Sequence, residues 1–157
     1  MADIKLTIVL LCSLTVLFFC LVSCKPQVET LSNNPEPQLQ NMEADLEFSG
    51  LAPWINSDPF TLYELRGKVV LVDFWTYTCV NCIRTLPYLK EWHKKYSDLG
   101  LVIVGVHTPE FEFEKIFENV DRAVSDFGIE YAVAQDNDYQ TWEVFDNRYW
   151  PAKYLLD

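Results

Sequence analysis

Val69-Val70-Leu71-Val72-Asp73-Phe74-Trp75-Thr76-Tyr77-Thr78-Cys79-Val80-Asn81-Cys82-Ile83-Arg84-Thr85-Leu86-Pro87 reads as a buried strand running directly into a helix that opens on Cys-x-x-Cys. The Val and Leu run has almost no polar relief, which is the pattern of a strand covered on both faces. It delivers Cys79 to the point where a helix begins, where unpaired N–H groups and the helix dipole favour an anion. A thiolate is such an anion, and thiols in this setting have pKa values lowered to roughly 3.5–7.5. Cys82, one turn further in, is placed to attack a mixed disulfide formed at Cys79 and release the other partner. The expected roles are therefore Cys79 as nucleophile and Cys82 as resolving thiol. Asp73 lies in the apolar strand, where an unpartnered charge is costly, and is the candidate proton acceptor for Cys82.

The string Val72-Asp73-Phe74-Trp75, the Cys79–Cys82 pair and Pro87 five residues beyond it resemble the thioredoxin superfamily, and the wording from Phe74 to Leu89 is similar to its extracytoplasmic TlpA-like and DipZ-like branch. The likeness runs from about Phe48 to Asp157. It implies an α/β thioredoxin-like fold with a central mixed sheet and an inserted helix, and a Cys79–Cys82 disulfide that forms and breaks in turnover. It also implies a cis-proline at Pro151 facing the pair, with Trp150, Trp75 and Thr78 beside it on the substrate side. Thr78 departs from thioredoxin, which has Trp before the first cysteine, so redox potential and partner choice are not carried over. Members of the family continue with one more antiparallel strand and a closing helix, which the expected fold lacks here. The strand at 152–156 is then expected to be an unprotected edge.

The 157 residues, half of them hydrophobic, support one domain with a sizeable core. A formal net charge of −11 and the lack of a basic stripe exclude a nucleic-acid partner. The charge is uneven: residues 66–107 carry six bases against three acids, and residues 108–157 twelve acids against four bases. The basic excess along the active-site helix reads either as a solvated face or as a flank that helps hold a thiolate or dock an acidic partner.

Of the five cysteines, Cys12, Cys20 and Cys24 lie in an N-terminal apolar stretch, leaving a single close pair in the folded part, which is no disulfide scaffold. Residues 6–22 form an apolar run slightly short of the ~20 that span a bilayer comfortably, so 1–23 is read as a signal segment. Leu21-Val22-Ser23-Cys24 resembles a bacterial lipobox, which implies lipidation of Cys24; an uncleaved signal anchor is the alternative. Either reading places the domain, residues 48–157, outside the cytoplasm at a membrane, with the polar, proline-containing stretch 24–47 as a flexible tether.

Further elements follow from period and punctuation. Short strands are expected at 51–55 and 131–134, a buried strand at 101–106, the active-site helix at 81–96 with Pro87 bending it, and a short helix at 139–145. Residues 109–127 read as one inserted helix, capped by Thr108 and opened by Pro109, with Phe113, Ile116, Phe117, Val120, Val124 and Phe127 as its buried stripe. Glu110, Glu112 and Glu114 then fall near its positive end, with no catalytic role. His107 ends a buried strand, where it is either a proton shuttle or a histidine bonded to backbone. Asp136-Asn137-Asp138 lacks the glycine and distal glutamate of a calcium loop.

The function these residues point to is a membrane-tethered thiol:disulfide oxidoreductase acting on disulfides or thiols of exported proteins, supplied by a membrane electron donor and needing no cofactor or metal. The alternatives are a peroxiredoxin-like thiol peroxidase and a non-catalytic binding module or structural fragment. Thr76-x-x-Cys79 matches part of a peroxiredoxin signature, but Val72 stands where that signature has Pro. A structural zinc half-site has only the scattered His93 and His107 to complete four ligands.

Overall fold

The computed structural model describes residues 46–157, so the apolar segment, Cys24 and the tether up to residue 45 lie outside the described residues. Leu46 and Glu47, expected in the tether, already belong to the fold. Leu46 packs against a core cluster, and the Glu47 carboxylate accepts the N–H groups of Leu62 at 2.6 Å and Tyr63 at 3.1 Å.

Five strands form one mixed sheet in the order β1-β4-β3-β2-β5. They are β1 (Trp54–Ile55), β2 (Val69–Trp75), β3 (Leu101–His107), β4 (Ala132–Gln135) and β5 (Ala152–Leu156). The inner strands β2, β3 and β4 run parallel, and β1 and β5 flank them antiparallel. Between β2 and β3 lies helix α1 (Val80–Tyr96), between β3 and β4 helix α2 (Phe117–Asp126), and between β4 and β5 the short helix α3 (Gln140–Val144). This is the α/β thioredoxin-like fold expected from the β2–α1 stretch. The β5 strand closes one side of the sheet against β2 and is its edge among the described residues.

Strand alternation sorts β2 into two cores. Leu71 and Trp75 point to the side of Cys82, Leu86 and Leu89 of α1 and Val120 and Val124 of α2. Val70, Val72 and Phe74 point to the other side, to Leu65, Phe145 and Ala152. That second side is rich in edge-to-face aromatic pairs, such as Phe74 with Phe145 at 5.4 Å and with Tyr154 at 5.6 Å. Burial on both faces accounts for the continuous apolar run in β2, and Asp73 falls on the α1 side within it. Pro87 sits inside α1 and leaves the carbonyl of Ile83 without its helical donor.

The inserted helix expected at 109–127 is not continuous. A single 3-10 turn covers Glu112–Lys115, Ile116 is extended at φ −74° and ψ 117°, and α2 starts only at Phe117. Side-chain donors take the carbonyls that a continuous helix would need. Tyr77 Oη and Asn119 Nδ2 donate to Phe113 O, and Gln135 Nε2 and Asn137 Nδ2 donate to Lys115 O. Thr108 does not cap the segment; its hydroxyl donates to Asp136 Oδ2 at 3.4 Å. As a result Phe113, Ile116 and Phe117, expected in a buried stripe, are exposed, while Val120 and Val124 are buried. The strand expected at 51–55 contracts to Trp54–Ile55. The Asp136 carboxylate serves as a cap, accepting the N–H groups of Thr141 at 3.1 Å and Trp142 at 2.8 Å.

Gly105 in the middle of β3 lets Trp75 close over the sheet. A Cβ there would lie 3.1 Å from Trp75 Nε1, 3.2 Å from Val133 Cγ2 and 3.3 Å from Tyr131 Cε2. Gly105→Val is therefore expected to destabilise the fold by about 1–3 kcal/mol through overpacking, read from the midpoint of urea unfolding. An unchanged midpoint would show that Trp75 has room to move.

Candidate active site

Parallel pairing of β2 with β3 keeps Trp75 beside His107, and the chain leaves both strands at the same end of the sheet. From Trp75 it turns through Thr76, Tyr77 and Thr78 into α1, with Cys79 at the N-cap position. The Cys79 Sγ accepts the Cys82 N–H at 3.2 Å, so sulfur does at this helix what a Ser or Asp oxygen does at most others. No acidic residue occupies the first turn of α1, and His93, Lys94 and Lys95 occupy the last. Both features suit a negative charge at the N-terminus.

The two sulfurs have different surroundings. Cys79 is half-buried and Cys82 fully buried, and both are free thiols. Burial pushes the Cys82 thiol up, and the hydrogen bond with Cys79 and the charge of Asp73 push in the same direction. Cys79, Tyr77 and Trp150 pack against the cluster that contains Cys82 and Trp75.

Asp73 is 1% exposed. Burial raises its carboxyl to about 6, against the opposing pull of Lys153. Lys153 is its cross-strand partner on β5, and its Nζ donates to Asp73 Oδ1 at 2.7 Å and to Thr85 Oγ1 at 3.2 Å. Thr85 in turn donates to the carbonyl of Cys82 at 2.8 Å. One ammonium thus links the buried acid on β2 to the first turn of α1. Asp73 Oδ2 has no partner among the described residues. Sequence reasoning missed Lys153; its signal was a single base in an apolar strand that pairs with a strand holding a single acid.

Of the residues expected on the substrate side, Pro151 follows a cis peptide bond from Trp150, and Trp150 donates its indole N–H to Thr108 O at 3.1 Å while its ring meets Trp142 at a tilt of 43°, 4.3 Å between centroids. Thr78 is exposed, with its hydroxyl donated to Glu114 Oε1 at 2.5 Å. Trp75 corrects the expectation. It is fully buried, edge-on to His107, because the missing side chain of Gly105 admits it to the core, and no surface is left for a substrate to touch.

His107 is fully buried, and burial lowers it to about 4, so it is neutral at pH 7. Its Nε2 faces the Tyr77 N–H at 3.4 Å and the Thr76 hydroxyl at 3.3 Å, which assigns the ring proton to Nδ1. The ring stacks on Tyr77 at 5.6 Å and holds the loop before Cys79. The structure favours the backbone-bonded reading of His107 over the proton shuttle. Thr76, whose hydroxyl a peroxidase would need at the sulfur, is buried against this ring. Glu114 was the second residue missed. Fully buried, it accepts Thr78 Oγ1, Glu110 N at 2.6 Å and Phe111 N at 3.0 Å. Burial opposes its charge, but hydrogen bonds from Thr76, Thr78 and the two backbone amides outweigh that and hold it below the usual carboxylate range.

Residues 67–157, which hold β2, the Cys79–Cys82 turn and the Pro151 strand, match the thioredoxin-like family. The chain belongs to the thioredoxin-like family. It is 46% identical over 123 residues to Protein DipZ of Mycobacterium bovis, a match covering 76% of this chain and 18% of that protein. It is 28% identical to the thiol-disulfide oxidoreductase YkuV of Bacillus subtilis, over 71% of this chain and 74% of that one. The solution structure of a thioredoxin-like protein in its oxidised form superposes with a TM-score of 0.63 at 28% identity, covering 72% of this chain and 74% of the other. The chain therefore spans under one fifth of the length of the DipZ protein it matches.

Because Asp73 binds its proton more tightly folded than unfolded, its contribution to stability is full below pH 3.8 and is lost as pH rises through about 6. Asp73→Asn removes that loss. The variant is expected to gain on the wild type between pH 4 and 7, by on the order of 3 kcal/mol at the upper end. Urea unfolding at both pH values checks this; a variant less stable at pH 7 would mean that the Lys153 pair outweighs burial.

Proposed function

We propose that the domain is a thiol:disulfide oxidoreductase that reduces or exchanges disulfides of exported polypeptides through Cys79 and Cys82. The observation that carries this reading is a half-exposed sulfur accepting an N–H at the first turn of a helix, with a buried thiol one turn behind it. In the reductive direction the Cys79 thiolate attacks one sulfur of the substrate disulfide, and the other leaves as a thiolate that takes up a proton. Cys82 then gives its proton to Asp73 and attacks Cys79 Sγ, which expels the second substrate sulfur as a thiolate, and that thiolate takes up the proton from Asp73. The substrate gains two electrons and two protons, and the domain is left with a Cys79–Cys82 disulfide.

Asp73 suits the proton step, since it is ionised above about pH 6 yet more basic than an ordinary carboxylate. Lys153 offsets the cost of burying that charge. Trp150, which packs against the same cluster as Cys79, Pro151 after it and Thr78 before Cys79 are the proposed substrate contacts. A two-electron thiol donor at the membrane would return the pair to the dithiol. Membrane attachment through Cys24 or through the apolar run at 6–22 is part of the same proposal, supported by the sequence alone. Among the described residues, no helix is long and apolar enough to cross a membrane.

Cys79→Ser is expected to abolish reduction of insulin disulfides, whereas Cys82→Ser retains the first attack and accumulates a mixed disulfide seen by intact-mass spectrometry. Turnover by Cys79→Ser would overturn the assignment. Peroxide consumption without disulfide reduction would move the activity to the peroxidase class.

A further inference from the structure

Between β3 and α2 the chain carries Phe111, Phe113, Ile116 and Phe117, with exposures of 48, 49, 48 and 37%. Single exposed apolar residues are ordinary, but four within seven positions make a patch. The Phe111 and Phe113 rings stack on each other 5.5 Å apart and 6° from parallel. The patch is fastened to the loop that leads into Cys79. Tyr77 Oη donates to Phe113 O at 3.3 Å, the Tyr77 ring meets Phe113 edge-on at 6.4 Å, and Thr78 donates to buried Glu114. The segment that carries the rings is thus tied to the two residues that precede the nucleophile, so docking on it would cost little ordering entropy. An open cavity of about 300 Å³, lined by Tyr77, Asn119, Arg122, Ala123, Asp126 and Phe127, shares Tyr77 with this arrangement.

The charge around the patch selects the occupant. Glu110, Glu112 and Glu118 are exposed on the same segment. Its one base, Lys115, is paired with Glu112 at 2.7 Å. A second copy of the chain, itself at −11, would set these acids against each other, and an anionic lipid surface would repel them. A basic, apolar polypeptide is complementary on both counts.

We propose that residues 111–117 form the substrate-docking ridge of this oxidoreductase, and that its occupant is a substrate segment of apolar residues flanked by Lys or Arg, next to the disulfide that Cys79 attacks. The ridge rests on the redox reading above and adds the substrate class to it. Phe111 and Phe113 supply the contact area, Glu110, Glu112 and Glu118 set the charge preference, and Glu114 is the positioning residue that ties the ridge to Thr78.

The test uses the full chain and three substrates: hydroxyethyl disulfide, and two disulfide-linked peptides with the same Phe-Leu core and either Lys-Arg or Glu-Asp flanks. KM for the basic peptide is expected to be about tenfold below that for the acidic one, a gap that 0.5 M salt narrows. Glu110→Gln/Glu112→Gln/Glu118→Gln should abolish that preference. Phe111→Ser/Phe113→Ser should raise KM for the basic peptide about tenfold more than it raises KM for hydroxyethyl disulfide. Equal KM for the two peptides, with hydroxyethyl disulfide still reduced, would overturn the ridge and leave the redox reading standing. So would a dimer in sedimentation that the Phe double variant converts to monomer, since the occupant would then be a second copy. Failure of the wild type to reduce hydroxyethyl disulfide would remove the redox reading and the ridge with it.

Discussion

The Cys82 N–H donated to Cys79 Sγ at 3.2 Å is the contact around which this domain is arranged. A helix must satisfy its first amides, and the usual solution is an oxygen from Ser, Thr, Asp or Asn. Here a sulfur takes that place, and the satisfied amide belongs to the second cysteine. The helix thereby satisfies one of its first amides with the sulfur that the strand delivers to its end. The rest of the fold holds this bond still. Register between β2 and β3 sets Trp75 beside His107, neutral His107 holds the backbone of Tyr77, and the Cys79 N–H is donated to Thr76 O at 3.2 Å.

Behind the sulfurs the structure accepts an electrostatic cost. Asp73 is buried among apolar side chains with one oxygen paired to Lys153 and the other without a partner among the described residues. Such groups are usually removed from cores unless they do chemistry. Lys153 reaches it from β5, with its side chain 27% exposed, so the counter-charge keeps contact with water while the acid does not. This arrangement leaves Asp73 near neutral pH in its titration, where a proton acceptor is useful, and it also opposes ionisation of Cys82 until that proton can leave.

The sequence was most legible where covalent pattern and burial agree. The apolar run of β2 and the Cys-x-x-Cys spacing led to the fold and to the helix that opens at Cys79. It was least legible where partners are distant along the chain. Lys153 meets Asp73 only through antiparallel pairing, a contact 80 residues apart, and no local period reports it. Glu114 looked like one of three acids at a helix start. Its burial depends on side chains from the Tyr77–Thr78 loop and from β4 taking the carbonyls that would have continued the helix. Trp75 was misplaced for a related reason, because the space it fills is made by Gly105 on the neighbouring strand.

The inserted segment shows the same logic in reverse. Breaking the helix at Ile116 costs helical hydrogen bonds, which side chains replace, and it turns out the Phe residues that a continuous helix would have buried. All of this presupposes that one sulfur is reachable and reactive while the other is shielded behind it. The direct measurement is site-resolved alkylation of the reduced protein by one equivalent of iodoacetamide at pH 7, with peptide mapping by mass spectrometry. The account predicts carbamidomethyl at Cys79 with Cys82 spared until the fold is denatured. Equal labelling of the two, or labelling of Cys82 first, would contradict it.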